Sequence, residues 1–166
     1  MPMPPAAGFG RESAGTRRTA LLIATYEMGR QPFGLASPAA WLRRAGLEVR
    51  CLDLSRQPFE ADLTARADVV AFHLPMHTAT RLAVPVIKRV RTINPPAKLC
   101  AYGLYAPLNA DFLRSLGVQS ILGGEFEAAL VEVATGDLSA AAGDAASWPE
   151  RLPRLEFLVP ERHDLP

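Results

Sequence analysis

The chain has 166 residues, 49% of them hydrophobic and 21% charged, with 18 Lys and Arg against 17 Asp and Glu. That length supports one domain around one sizeable core, and a formal charge of +1 gives no electrostatic case for nucleic acid or an anionic membrane. No apolar run approaches the length that spans a bilayer. Cys51 and Cys100 are the two cysteines, and both sit in apolar strand-like runs, where buried free thiols are expected.

In chain order, residues 1–16 are rich in Pro, Gly and Ala and read as disordered. Arg17-Arg18 ahead of a short apolar run resembles a twin-arginine export signal only superficially, because Glu27 interrupts the run; a cytoplasmic protein is expected. Residues 19–26 form a continuous apolar run, the pattern of a strand buried on both faces. Ser37 is then an N-cap with Pro38 at the first helical position, and the helix runs to Ala45, where Gly46 ends it. Residues 47–54 alternate Leu47, Val49 and Cys51 with Glu48 and Arg50 as a second strand. A short helical piece covers 60–66 and a third strand 68–74.

Residues 77–94 are the clearest helix, with Ala79, Leu82, Ala83, Val86, Ile87 and Val90 at helical spacing. Pro85 predicts a kink or a late start, and Pro95-Pro96 ends the helix. Residues 98–102 are the fourth strand, 108–116 a helix, 118–122 the fifth strand and 125–134 the last helix. Residues 136–147 have a linker composition, and 148–166 read as an extended Pro-rich arm that packs on another surface. The expected domains are therefore 1–16, 17–136 and 137–166.

Strands alternating with helices imply an α/β fold with a parallel sheet and right-handed crossovers. Five strands predict the flavodoxin-like order 2-1-3-4-5, in three layers with helices on both faces. Ligands then bind beyond the strand carboxyl ends, at the switch point between the first and third strands. The loops there supply Tyr26, Glu27 and Met28; Pro75, Met76, His77 and Thr78; Gly103, Leu104 and Tyr105; and Gly123, Gly124 and Glu125. Glycines, aromatics, thioethers, a hydroxyl and one imidazole suit a large, mostly apolar ligand with a few polar handles.

The double glycine lets a ligand approach the backbone, and Glu125 and Glu127 are expected in the first turn of the last helix, complementing its dipole. A phosphate cradle is excluded, since the first loop lacks a Gly/Ser/Thr run. A phosphoryl acceptor is excluded too, since the third strand ends His73-Leu74-Pro75 rather than in an aspartate. His73 reads as a core or subunit-facing histidine.

The set Pro75-Met76-His77-Thr78-Ala79-Thr80, Gly103-Leu104-Tyr105-Ala106-Pro107-Leu108-Asn109 and Gly117-Val118 with Gly123-Gly124-Glu125-Phe126-Glu127 resembles the N-terminal cobalamin-binding domain of cobalamin-dependent radical S-adenosylmethionine proteins. The resemblance covers about residues 18–135. It implies a Rossmann-like domain that holds cobalamin and presents it to a radical S-adenosylmethionine partner or a following barrel, for example for methyl transfer. The iron–sulfur cluster and S-adenosylmethionine would belong to that partner or barrel, whose three-cysteine motif is absent from this sequence. The tail at 157–166 is similar to the connector that leads into the barrel. The first loop has no histidine, so the resemblance implies base-off binding without a protein ligand to cobalt and no catalytic residue in this chain. Two other readings share the fold: a degenerate interaction module that no longer binds cofactor, and a small flavin- or nucleotide-binding enzyme.

Overall fold

The computed structural model describes residues 17–136 and 156–166. The expectations for 1–16 and for the linker at 137–155 lie outside the described residues. Five strands, β1 (Thr19–Ala24), β2 (Glu48–Asp53), β3 (Val69–His73), β4 (Lys98–Tyr102) and β5 (Ser120–Leu122), form one sheet. All neighbours are parallel, and the order is β2-β1-β3-β4-β5, as the alternation of strands and helices predicts.

The interior β1 shows why. From Ala20 to Ala24 every residue is buried, so alternate side chains feed two different cores. Leu22 and Ala24 join Ala71, Cys100, Tyr102 and Leu122 on one face. That face is covered by α1 (Phe33–Arg44) and α6 (Glu127–Thr135), through Leu35, Ala39, Leu42, Leu130 and Val133. Leu21 and Ile23 join Val70, Phe72, Leu99 and Ala101 on the other. There α3 (His77–Ile93) and α5 (Ala110–Ser115) supply Ala83, Ile87, Val90 and Leu113. Two single-turn-scale elements, α2 (Ala61–Arg66) and α4 (Tyr105–Leu108), complete the order. Asn94 ties α2 to the end of α3, its amide donating to Thr64 O and Ala67 O at 2.8 Å each.

Three local boundaries differ from the sequence expectation. Helix α1 starts at Phe33, after Pro32, and carries Pro38 inside it. An interior proline has no N–H for the carbonyl four residues back, here that of Gly34. The buried Tyr102 hydroxyl fills the vacancy and donates to Gly34 O at 2.7 Å. The helix therefore tolerates Pro38, and Ser37, read as an N-cap, instead donates to Glu127 Oε1 at 2.8 Å. Next, the helix expected over 108–116 is α5, starting at Ala110, and Asn109, whose φ of −118° is not helical, parts it from the preceding short α4. Last, α6 begins at Glu127, so Glu127 alone lies in its first turn and Glu125 precedes it. Pro85 sits within α3, which nonetheless begins at His77 and runs 17 residues.

The arm at 156–166 docks along α1 and the β2 edge. Arg43 donates to Glu161 Oε2 at 2.8 Å and to Asp164 Oδ2 at 3.0 Å. Asp164 Oδ2 also accepts the Cys51 N–H at 2.8 Å, and Leu165 packs against the core of the α1 face. No helix among the described residues is long and apolar enough to cross a membrane.

Candidate ligand site at the carboxyl edge of the sheet

A cavity of about 520 Å³ opens at the carboxyl edge of the sheet, on the face covered by α1 and α6. Helix α1 contributes Phe33, Gly34, Ser37 and Trp41; the loop before α6 contributes Gly124, Glu125 and Phe126, with Glu127 following. Glu27 comes from the β1–α1 loop, His73 and Pro75 from the end of β3, and Glu156, Phe157 and Leu158 from the arm. The switch point between β1 and β3 thus forms its floor, where fold logic places a ligand.

His73 is the central side chain. Period-2 alternation along β3 aims it with Val69 and Ala71 toward α1, and it is 7% exposed. Its ring lies 5.3 Å from the Tyr102 ring and 6.3 Å from Phe126, while Tyr102 and Phe126 are 4.7 Å apart. These spacings are those of a packed aromatic cluster. Gly34 makes room for it: a Cβ there would stand 2.1 Å from His73 Cε1.

His73 Nδ1 faces Glu27 Oε2 at 3.8 Å. That is too long for a hydrogen bond, and neither atom has another partner. A carboxylate beside an imidazole favours the charged ring, whereas burial opposes it. Burial wins here and lowers the His73 pKa to about 4, so the ring is neutral at pH 7. Burial, and then the nearby Asp53 carboxylate, hold the Glu27 carboxyl above its ordinary pKa. Asp53 is fully buried; its Oδ1 accepts from Ser55 N at 3.0 Å and Ser55 Oγ at 2.6 Å, and its Oδ2 has no partner.

The loops named from the sequence divide into those at the cavity and those around it. Glu27, Pro75, Gly124 and Glu125 line it. Tyr26 lies in a separate hollow with Thr25, Leu54 and Leu82. Met28 and Gly29 are the centre of a tight turn closed by Arg30 N donating to Glu27 O at 2.9 Å. Both have positive φ, 48° and 74°, and Met28 is left 66% exposed. His77 and Thr78 are exposed in the first turn of α3, with Met76 half-buried before them. Leu104 is 57% exposed and Tyr105 packs against the opposite core. Gly103 has a φ of 107° and would bring a Cβ within 3.0 Å of Leu74 O. A Cβ on Gly123 would strike Pro107 at 2.6 Å. Both glycines thus have structural roles independent of any ligand.

Sequence reasoning did not single out Gly34, Phe33, Trp41 or the arm residues as site residues, and it assigned His73 to the core. The buried partnerless carboxylate and imidazole are what mark the place. Among the described residues no group of three or more His, Cys, Asp or Glu side chains could hold a metal ion. Both thiols are buried, and burial raises their pKa, so neither is a ready thiolate.

No family model matches the chain, and no curated protein matches it. Solved structures do. One is TsrM, a radical S-adenosylmethionine methyltransferase from Kitasatospora setae, solved with its tryptophan substrate and an S-adenosylmethionine analogue. It is 20% identical with a TM-score of 0.54, over 71% of this chain and 25% of that one. Another is a response regulator from Burkholderia pseudomallei with a phosphorylated aspartate, calcium and citrate. It is 16% identical with a TM-score of 0.55, over 74% of this chain and 69% of that one. Both are similar in fold, a flavodoxin-like parallel sheet. The chain spans about a quarter of the methyltransferase's length.

Proposed function

We propose that this chain is a cobalamin-binding module that presents the cofactor to a radical S-adenosylmethionine partner or further domain. The observation that carries the reading is the apolar rim of the carboxyl edge. Met28, Phe33 and Leu104 are each about half exposed or more, in the loops and helix start that follow the strands. At the same edge Gly124 bares the backbone at the cavity. Exposed large side chains in several loops of a predicted ligand edge suit a broad apolar partner. The likeness to a stretch of a radical S-adenosylmethionine methyltransferase supports the same reading at the level of fold.

The residues fit the corrinoid unevenly. Rim and glycines suit the face of the macrocycle. The cavity, at about 520 Å³, takes a group of nucleoside size, but its carboxylates oppose the phosphate of a nucleotide tail. Bound cobalamin would supply methyl-transfer chemistry. This chain's part is to seat it: Met28 and Leu104 cover its apolar face and Gly124 lets it approach the main chain. His77, exposed and without an orienting carboxylate, is assigned no role toward cobalt.

Protein mixed with hydroxocobalamin and desalted should keep the red absorbance in stoichiometric amount. Leu104→Glu changes an exposed side chain, so it should fold normally and lose most of that colour. A colourless native protein at high ligand excess overturns the reading and leaves the interaction module in its place.

A further inference from the structure

The charge of the cavity points to a guest other than a nucleotide tail. Its described lining carries the carboxyl groups of Glu27, Glu125, Glu127 and Glu156 and no Lys or Arg. Arg44 pairs with Glu156 at 2.8 Å, and Ser37 donates to Glu127 at 2.8 Å. Glu27 receives no such help. Its Oε2 and the Nδ1 of His73 are buried and unpartnered on two side chains that line the cavity. Buried polar atoms without partners are uncommon and mark strain or a missing guest.

We infer that this cavity binds an organic ammonium ion, whose N–H groups are received by Glu27 and His73 and whose apolar body lies against Trp41, Phe126 and Phe157. The chemistry of each wall agrees. An ammonium beside Glu27 would favour its carboxylate form against the burial that raises its pKa, and the neutral His73 ring offers a lone pair, so the pair can accept two hydrogen bonds from one nitrogen. Their atoms face each other 3.8 Å apart and are closed to solvent, so the guest's nitrogen would be received only as the Glu27 carboxylate turns outward from His73. Glu27 is the more exposed of the two, 21% against 8% for the side chains, and is the one placed to turn toward the guest. The aromatic walls offer packing surface to the apolar body. An anion would meet only carboxylates. A neutral alcohol of the same shape would keep the apolar contacts and lose the charge.

The inference does not rest on the corrinoid reading, and its readout is separate. The full chain is titrated with phenethylammonium, 2-phenylethanol and phenylacetate, following the backbone amide resonances of Gly34, Gly124 and Glu127. The ammonium should shift these three at millimolar concentration and bind about tenfold more tightly than the alcohol, a difference of ~1.4 kcal/mol. Phenylacetate should shift none of them. Glu27→Gln, with an otherwise native amide spectrum, should weaken the ammonium about tenfold. Equal binding of all three ligands overturns the inference. So does an ammonium that leaves the cavity amides unmoved, which would mean that the cavity holds water only. The ligand series on the native chain stands even if the variant does not fold.

Discussion

Replacing Tyr102 by Phe removes one oxygen and leaves the ring in place, and the loss should depend on a residue elsewhere in the chain. Tyr102 is fully buried, and its hydroxyl donates to Gly34 O at 2.7 Å. That carbonyl is an orphan because Pro38, within α1, has no N–H to offer it. Tyr102→Phe therefore loses a hydrogen bond and strands a buried acceptor, at ~2 kcal/mol. In a Pro38→Ala background the N–H of the introduced alanine can take Gly34 O, so the same change should cost under ~1 kcal/mol. The coupling, about 1 kcal/mol, is measurable by a double-mutant cycle in urea, provided the m-values of all four proteins agree. Equal costs in the two backgrounds, within ~0.3 kcal/mol, would refute the assignment of the hydroxyl to the vacancy left by the proline.

Arg43→Met should release the arm. The guanidinium holds Glu161 and Asp164 and also donates to Val49 O at 2.8 Å. It is 17% exposed, so the loss is that of a partly screened cluster, ~1–2 kcal/mol. Trypsin cleavage after Arg162, followed by mass spectrometry, should speed up about tenfold if it tracks the open population; unchanged protection would refute the clasp. His73 makes stability depend on pH. Its folded pKa is about 4 against 6.5 in the unfolded chain, so the unfolded state binds the extra proton between those values. Stability contributed by the neutral ring is full above 6.5 and falls as pH drops toward 4, by at most ~3 kcal/mol. Glu27, with its pKa raised, acts in the opposite sense and blunts the fall. His73→Gln should flatten the urea midpoint over that range; an equally steep profile would place the dependence elsewhere.

The sheet was legible because its signals are local. Residues 19–26 are apolar without a break, and residues 77–94 keep one helical period from end to end, so element type and order follow from pattern. Ser37-Pro38 misled because helix-start preferences describe an isolated helix. A tyrosine 68 positions beyond Gly34 satisfies the carbonyl that the proline abandons, and no local rule sees it. His73 was hidden in the same way. Its alternation with Val69 and Ala71 reads as core, which is where it lies, while Gly34 and Glu27, which make it notable, come from a helix and another loop. The arm contacts join residues more than a hundred positions apart, such as Arg43 and Glu161, beyond any periodicity. The sequence named the carboxyl edge of the sheet, where a cavity does open, and most of the side chains that shape that cavity come from tertiary packing.

The docking of the arm also bears on how the chain behaves when crowded. Strand β2 is the outer strand of a parallel sheet, and such a strand bares donors and acceptors that can template another chain. Two of these groups are already taken by side chains, Val49 O by Arg43 and the Cys51 N–H by Asp164. A freed arm would take Asp164 away and hand the Cys51 N–H to the solvent, leaving Val49 O to Arg43 of α1 alone. The clasp that walls the cavity with Phe157 and Leu158 thus also guards the sheet against edge-to-edge self-association, and loss of colloidal stability should accompany its opening.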